Sequence, residues 1–289
     1  MPTLSDKLAE KLRRVKLVAT DLDGTLLDDR GEISDATRQG VQKLTEIGIN
    51  LAIMTGRAHS SAERIADKLG LRTPIISLDG ALVRLPHAEA NIFASHIKPS
   101  TIKDVMDEAD RSLTSVALLA DDRLVRLESA ATLPSYIGSL DLESEIVEDL
   151  FPYVDRTVRI IAGGDSHEAV KAIERVALSF FSKVEASFYR SSSHEGRWYL
   201  EIRNRNCSKA TGLAHLEKYY GISKREVAVL GDFRNDIEAF KRAGTGIAMK
   251  NAVPELKDQA DLVTESSNDG DGAAEFLELF YEVRKNDRY

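Results

Sequence analysis

The sequence predicts a doubly wound α/β core with a mostly parallel sheet, interrupted by an inserted α+β lobe. Three observations predict it. Apolar runs at residues 15–20, 50–54 and 227–230 each lead into acids, a hydroxyl or a glycine and then into a helix pattern, the cadence of strand, turn and helix that builds a parallel sheet. Between residues 83 and 204 that cadence breaks and strand patterns follow one another, as in an antiparallel sheet with helices on one side. The 289 residues exceed the usual single-domain size and leave material for two lobes. Residues 1–82 and 205–289 are therefore assigned to the core, and 83–204 to the inserted lobe.

Taken in order, Leu4, Leu8 and Leu12 recur at helical spacing among charges, which predicts a short amphipathic helix before the first strand. The strand from Val15 runs straight into Asp21-Leu22-Asp23-Gly24-Thr25. Acids released at the carboxyl end of a parallel strand point into the crevice where such sheets bind ligands. An extended segment puts side chains i and i+2 on one face, so Asp21 and Asp23 can address one centre, where a cation offsets their repulsion. Gly24 lets the backbone turn sharply. An Asp-Gly hairpin turn is the alternative reading. Ser34 then caps a helix carrying Val41, Leu44 and Ile47, which Gly48 ends.

Asn50 to Met54 reads as the second strand, followed by Thr55-Gly56-Arg57 and a helix through Ile65 and Leu69. A hydroxyl and unpaired backbone N–H groups at a helix start make an anion site, although Thr55 also reads as an ordinary helix cap. A strand at Ile75–Ser77 leads to Leu78-Asp79-Gly80-Ala81. In the lobe, the expected elements are a strand over 92–97, a helix over 101–111 and paired strands around Asp121-Asp122. A strand over 157–162, a helix from His167 to Phe181 and strands over 184–189 and 198–203 complete it. The core resumes at Ser208, which caps a helix running to Tyr220. Lys209 then lies in the first turn, where the helix dipole opposes a cation; a surface lysine is the plain alternative. After the strand at 227–230, Asp232 and Asp236 sit four apart across a tight loop, able to face one hard cation, ahead of a helix over 237–243.

Composition narrows the function. With 47 acidic and 39 basic residues the formal net charge is −8, which argues against a nucleic-acid surface. One cysteine, Cys207, excludes an intramolecular disulfide and suits a reducing compartment. No run of eighteen apolar residues occurs, and the first thirty lack the features of a signal peptide. A cytoplasmic protein with no membrane and no obligatory protein partner is expected. The six histidines are scattered singly, which gives no support to a histidine metal site.

Four segments, in order, resemble the four signatures of the haloacid dehalogenase superfamily, in its Cof-like phosphatase branch: Asp21-Leu22-Asp23-Gly24-Thr25, Met54-Thr55-Gly56-Arg57, Ser208-Lys209 with Gly212-Leu213, and Gly231-Asp232 with Asn235-Asp236. The resemblance spans roughly residues 15–275 and implies a Rossmann-like core with an inserted α+β cap. It also implies that Asp21 attacks phosphorus to form an aspartyl phosphate and that Asp23 serves as acid and then base. Thr55, Gly56, Arg57, Lys209 and Asn235 are implied to hold the phosphoryl group, and Asp21, Asp23, Asp232 and Asp236 a Mg2+ ion. The expected function is a magnesium-dependent phosphatase of a small phosphorylated metabolite, such as a sugar phosphate. A phosphosugar mutase, a phospho-accepting receiver and a non-catalytic phosphate-binding module are the alternatives. Asp79 stands where the branch usually has Asn, Ala210 replaces a glycine, and Phe233 replaces a small residue. Residues 246–252 and 267–272 also resemble features of the branch, read as core or loop.

Overall fold

The structure is a computed structural model that describes residues 5–139, 142–179, 183–191 and 196–285. It divides into two compact units, one formed by residues up to Phe93 and from Ser208 onward, the other by Ala94–Cys207.

The first unit opens with α1 (Asp6–Arg14), whose N-cap Ser5 accepts the Leu8 N–H and whose Leu8 and Leu12 are buried. Leu4 lies outside the described residues. The chain continues through β1 (Leu17–Thr20), α2 (Asp35–Glu46), β2 (Asn50–Ile53), α3 (His59–Leu69), β3 (Ile75–Ser77), β4 (Leu82–Arg84) and β5 (Asn91–Ala94). Ser34 caps α2 by accepting the Thr37 N–H. The second unit contributes α4 (Pro99–Ser112), β6 (Ser115–Ala120), β7 (Arg123–Arg126), α5 (Pro134–Ser139), β8 (Ser144–Ile146), β9 (Thr157–Gly164), α6 (His167–Ala177), β10 (Val184–Arg190) and β11 (Trp198–Asn204). The first unit resumes with α7 (Lys209–Tyr220), β12 (Val227–Gly231), α8 (Ile237–Arg242), β13 (Thr245–Ala248), α9 (Pro254–Lys257), β14 (Leu262–Val263) and α10 (Gly272–Lys285).

The sheet of the first unit has the order β14-β13-β12-β1-β2, with every pair parallel. β1 is central and fully buried, as a strand covered by helices on both faces must be. Because the strands are parallel, their carboxyl ends share one edge, where Asp21, Thr55 and Asp232 follow β1, β2 and β12. A single parallel bridge from Met54 to Ile76 sets β3 beside β2.

The first unit reaches further along the chain than the expected junction at residues 82–83. β3, β4 and β5 form a three-stranded sheet, Val83 is buried in the core cluster of this unit, and Phe93 stacks on His215 of α7 with ring centroids 3.8 Å apart. The return junction likewise falls at Cys207–Ser208 rather than 204–205.

In the second unit the order is β10-β11-β9-β6-β7-β8, antiparallel except for the parallel β7–β8 pair. Ile102 and Val105 of α4 and Val170 and Ile173 of α6 join Leu118, Ile160 and Leu200 of the sheet in one core, so this unit buries its own apolar face. α6 ends at Ala177; Phe181, the expected end, lies outside the described residues. No helix among the described residues is long and apolar enough to cross a membrane.

Candidate active site

Asp21 follows the last residue of β1 and donates its N–H to the Leu230 carbonyl at 3.0 Å, so the parallel ladder itself carries it to the sheet edge. Beyond it the N–H groups of Thr25, Leu26 and Leu27 converge on the Leu22 carbonyl at 2.9–3.2 Å, folding the chain back at once. Gly24 makes that turn with φ +69°, and a Cβ there would stand 2.4 Å from Asp232 Oδ2. Only glycine admits both the left-handed backbone and the neighbouring carboxylate. The Asp-Gly pair therefore serves this turn and not a hairpin.

Lys209 is the centre of the site's electrostatics. It opens α7, with Ser208 capping the helix, and its side chain is fully buried. Its Nζ lies 2.7 Å from Asp21 Oδ2 and 2.7 Å from Asp236 Oδ1. Burial alone would lower the ammonium's pKa; the two carboxylates overcome that and raise it above the usual lysine range. The helix-dipole cost of a lysine in a first turn is thus outweighed by two buried charge-assisted bonds, and Lys209 is no surface residue.

Asp21 is 6 % exposed and accepts the Leu22 N–H at 2.7 Å. Burial raises its pKa to about 7 against the pull of Lys209, with Asp236 adding to the rise. Asp232, at the end of β12, accepts the Thr25 hydroxyl at 2.9 Å; burial raises its pKa to about 6. Asp236 is fully buried, and its Oδ2 accepts the N–H groups of Asp232 and Phe233 at 3.2 and 3.1 Å. Gly231 is required beside it, since a Cβ there would lie 2.6 Å from the Asp236 carboxyl carbon. Asp21, Asp232 and Asp236 each offer a carboxylate oxygen, all within 4.8 Å of one another. An all-oxygen set with carboxylates crowded into a buried space fits a hard divalent cation such as Mg2+.

The Asp23 carboxylate lies outside that trio. It is exposed and gripped by Arg57, with Nε 2.8 Å from Oδ2 and Nη2 2.5 Å from Oδ1. Thr55 is buried, and its hydroxyl accepts the Arg57 N–H at 3.2 Å. It does not cap the next helix: α3 starts at His59 with Ala58 at the N-cap. Asn235 is exposed and donates to Asp79 Oδ1 at 2.9 Å. Phe233 is 52 % exposed with the Arg234 guanidinium 5.8 Å from its ring centroid, so the ring turns outward.

Two asparagines escaped the sequence reading. Asn251 donates to the Gly24 carbonyl at 2.7 Å and accepts the Asn268 N–H at 3.0 Å, and Asn268 donates to the Leu27 carbonyl at 3.2 Å. Together they tie the loop after Asp23 to the segments 246–252 and 267–272. Their resemblance to features of the Cof-like branch was the only available signal, and it marked the segments without the contact.

Comparison with known proteins agrees with this geometry. Residues 18–277 match the model of a haloacid dehalogenase-like hydrolase family. Among curated relatives, a Bacillus subtilis protein named 5-amino-6-(5-phospho-D-ribitylamino)uracil phosphatase YitU is 28 % identical over 271 residues, covering 92 % of this chain and 98 % of its own. A phosphoglycolate phosphatase of Archaeoglobus fulgidus is 28 % identical over 264 residues, covering 91 % and 96 %. Among solved structures, TM0651 from Thermotoga maritima superposes with a TM-score of 0.78 at 28 % identity, covering 92 % of this chain and 97 % of that one. With the signatures converging on one sheet edge and the match spanning both units, the chain belongs to the haloacid dehalogenase-like hydrolases.

Proposed function

We propose that this protein is a magnesium-dependent phosphatase that hydrolyses a small phosphorylated metabolite, a sugar phosphate or related phosphomonoester, through an aspartyl phosphate. The observation that carries the reading is the fully buried Lys209 held 2.7 Å from both Asp21 and Asp236, next to Asp232. A carboxylate at a strand end with a fixed cation beside it supports this reading, because a phosphoryl group brings negative charge that must be compensated. Asp21 attacks phosphorus, and the ester oxygen leaves with a proton from Asp23. Asp23 then takes a proton from water, whose oxygen attacks phosphorus and releases orthophosphate and the free Asp21 carboxylate. Arg57 orients Asp23; the Thr55 hydroxyl, the backbone at Gly56 and the amide of Asn235 are assigned to bind the phosphoryl oxygens.

Asp21, Asp232 and, through water, Asp236 would hold Mg2+, with the Asp23 carbonyl as a further donor. When bound, the ion neutralises charge on the phosphoryl oxygens. The phosphatase names of both curated relatives support hydrolysis over transfer to a second sugar, and the phosphoribityl compound in one of those names supports a phosphorylated polyol or sugar. A small-molecule substrate and no nucleic-acid or protein partner complete the reading. The test is phosphate release from a panel of phosphorylated metabolites with and without Mg2+. Asp21→Asn is expected to abolish release while its circular dichroism stays that of the parent; retained Mg2+-dependent turnover in that variant refutes the mechanism.

A further inference from the structure

We infer that Asp79 is a specificity-determining residue that favours phosphomonoesters with an uncharged alcohol portion over those carrying a carboxylate. This deepens the proposed function and rests on it. Leu78, Asp79 and Gly80 are three successive residues at positive φ, 53°, 54° and 90°. Gly80 has no alternative, because a Cβ there would lie 2.0 Å from the Ser208 carbonyl oxygen. Such a run persists only where its surroundings hold it. Here the Leu78 N–H bonds the Arg57 carbonyl at 2.9 Å and the Asp79 N–H the Thr55 carbonyl at 3.0 Å, so the turn is docked on the backbone proposed to hold the phosphoryl group.

The carboxylate of Asp79 is aimed the same way. A Cβ on Gly56 would lie 3.2 Å from its Oδ1, and that oxygen accepts the Asn235 amide at 2.9 Å. One carboxylate thus bridges the two segments that flank Asp21, beside a glycine that puts no side chain between it and the loop. No step of the hydrolysis uses this charge. Every substrate brings the same phosphoryl group, so the field of Asp79 separates substrates by what else they carry. A second anionic group about 8 Å away feels a repulsion worth on the order of tenfold in affinity at the effective dielectric of a protein surface, less at high salt.

Asp79→Asn isolates the charge. The amide keeps the shape and an oxygen for Asn235, and asparagine tolerates the left-handed backbone. The measurement is calorimetric binding, in the presence of Mg2+, of two unreactive probes: 3-hydroxypropylphosphonate and 3-phosphonopropionate. In the parent the hydroxyl probe is expected to bind more tightly, and in Asp79→Asn the ratio of the two Kd values should shift towards the carboxylate probe on the order of tenfold, with a smaller shift in high salt. A merely structural role changes both Kd values together and leaves the ratio alone. If both probes bind and the ratio moves less than twofold, the inference is wrong and the proposed function stands. If neither probe binds the parent protein, both fall.

Discussion

Lys209 shows how much of this site is decided by one side chain. With no exposed surface and two carboxylates at 2.7 Å, it belongs to the class of buried ion pairs in which removing one partner costs about 3–5 kcal/mol, because the other charges stay buried uncompensated. Lys209→Met is expected to lower unfolding stability by about that amount in urea titrations. Adding Asp236→Asn should recover part of the loss, since it removes one of the two stranded charges; a double variant as unstable as the sum of the single ones contradicts this pairing. In the proposed mechanism, Asp23 is separable from Asp21 through the leaving group. An alkoxide needs a proton as its bond to phosphorus breaks, worth roughly 10²–10⁴-fold, whereas a nitrophenolate needs almost none. Asp23→Asn should therefore give a fast burst of nitrophenol followed by slow turnover with nitrophenyl phosphate, and lose most of its first-step rate with an alkyl phosphate. Equal loss of the first step with both esters removes Asp23 as the acid.

Helix α3 carries a pH-sensitive element apart from the site. His59 is fully buried. Burial first, then the positive charges of Arg84 and His87, hold its pKa down to about 3. A histidine depressed in the folded state contributes its full stability above the unfolded pKa near 6.5, and that contribution is lost as pH falls towards 3, with a slope approaching about 1.4 kcal/mol per pH unit. His59→Gln is expected to flatten this part of the stability curve between pH 6 and 4; identical slopes in variant and parent would place the acid sensitivity elsewhere. At this scale the sequence was most readable where periodicity and a cap coincided. Ser34 and Ser208 begin the helices they were expected to begin, and the apolar runs at 17–20, 50–53 and 227–231 are parallel neighbours. What escaped were elements whose identity depends on distant partners. β8 pairs parallel to β7 in a lobe expected to be antiparallel. α10, whose Phe276, Leu277 and Phe280 fill the core, was not anticipated. The Asn251–Asn268 tie joins residues far apart in sequence, and no spacing rule reports on such a contact.

For the molecule as a whole, the proposed metal site would couple ion binding to stability through the acids at the sheet edge. Asp21 and Asp232 have folded pKa values raised to about 7 and about 6, chiefly by burial. A raised carboxylate stabilises the fold while protonated, so this contribution is present below about pH 4 and lost as pH rises through 6 to 7. A divalent cation competes with those protons, so its stabilisation grows over the same window. The Tm increment from Mg2+ should be larger at pH 8 than at pH 5. An increment independent of pH would mean that the ion does not bind at these carboxylates. The expected junction at residues 82–83 differs from the division after Phe93 because Val83 and Phe93 pack with residues of the first unit, a tertiary preference that alternation of strand patterns does not reveal.

The central place of β1 has a consequence for how this chain is made. One of its edges pairs with β2, about thirty residues on, but the other pairs with β12, some two hundred residues downstream. At translation rates of about 5–20 residues per second, the edge facing β12 waits roughly ten to forty seconds for its neighbour. Throughout that interval the nascent β1 segment carries Leu17, Val18 and Ala19 without the neighbour for one row of its backbone groups, a template for any other extended chain. The second unit, with an apolar core of its own, can condense in the meantime. Ribosome-bound chains stopped before Val227 are therefore expected to recruit chaperones through the segment around β1 and to be released from them once β12 has emerged.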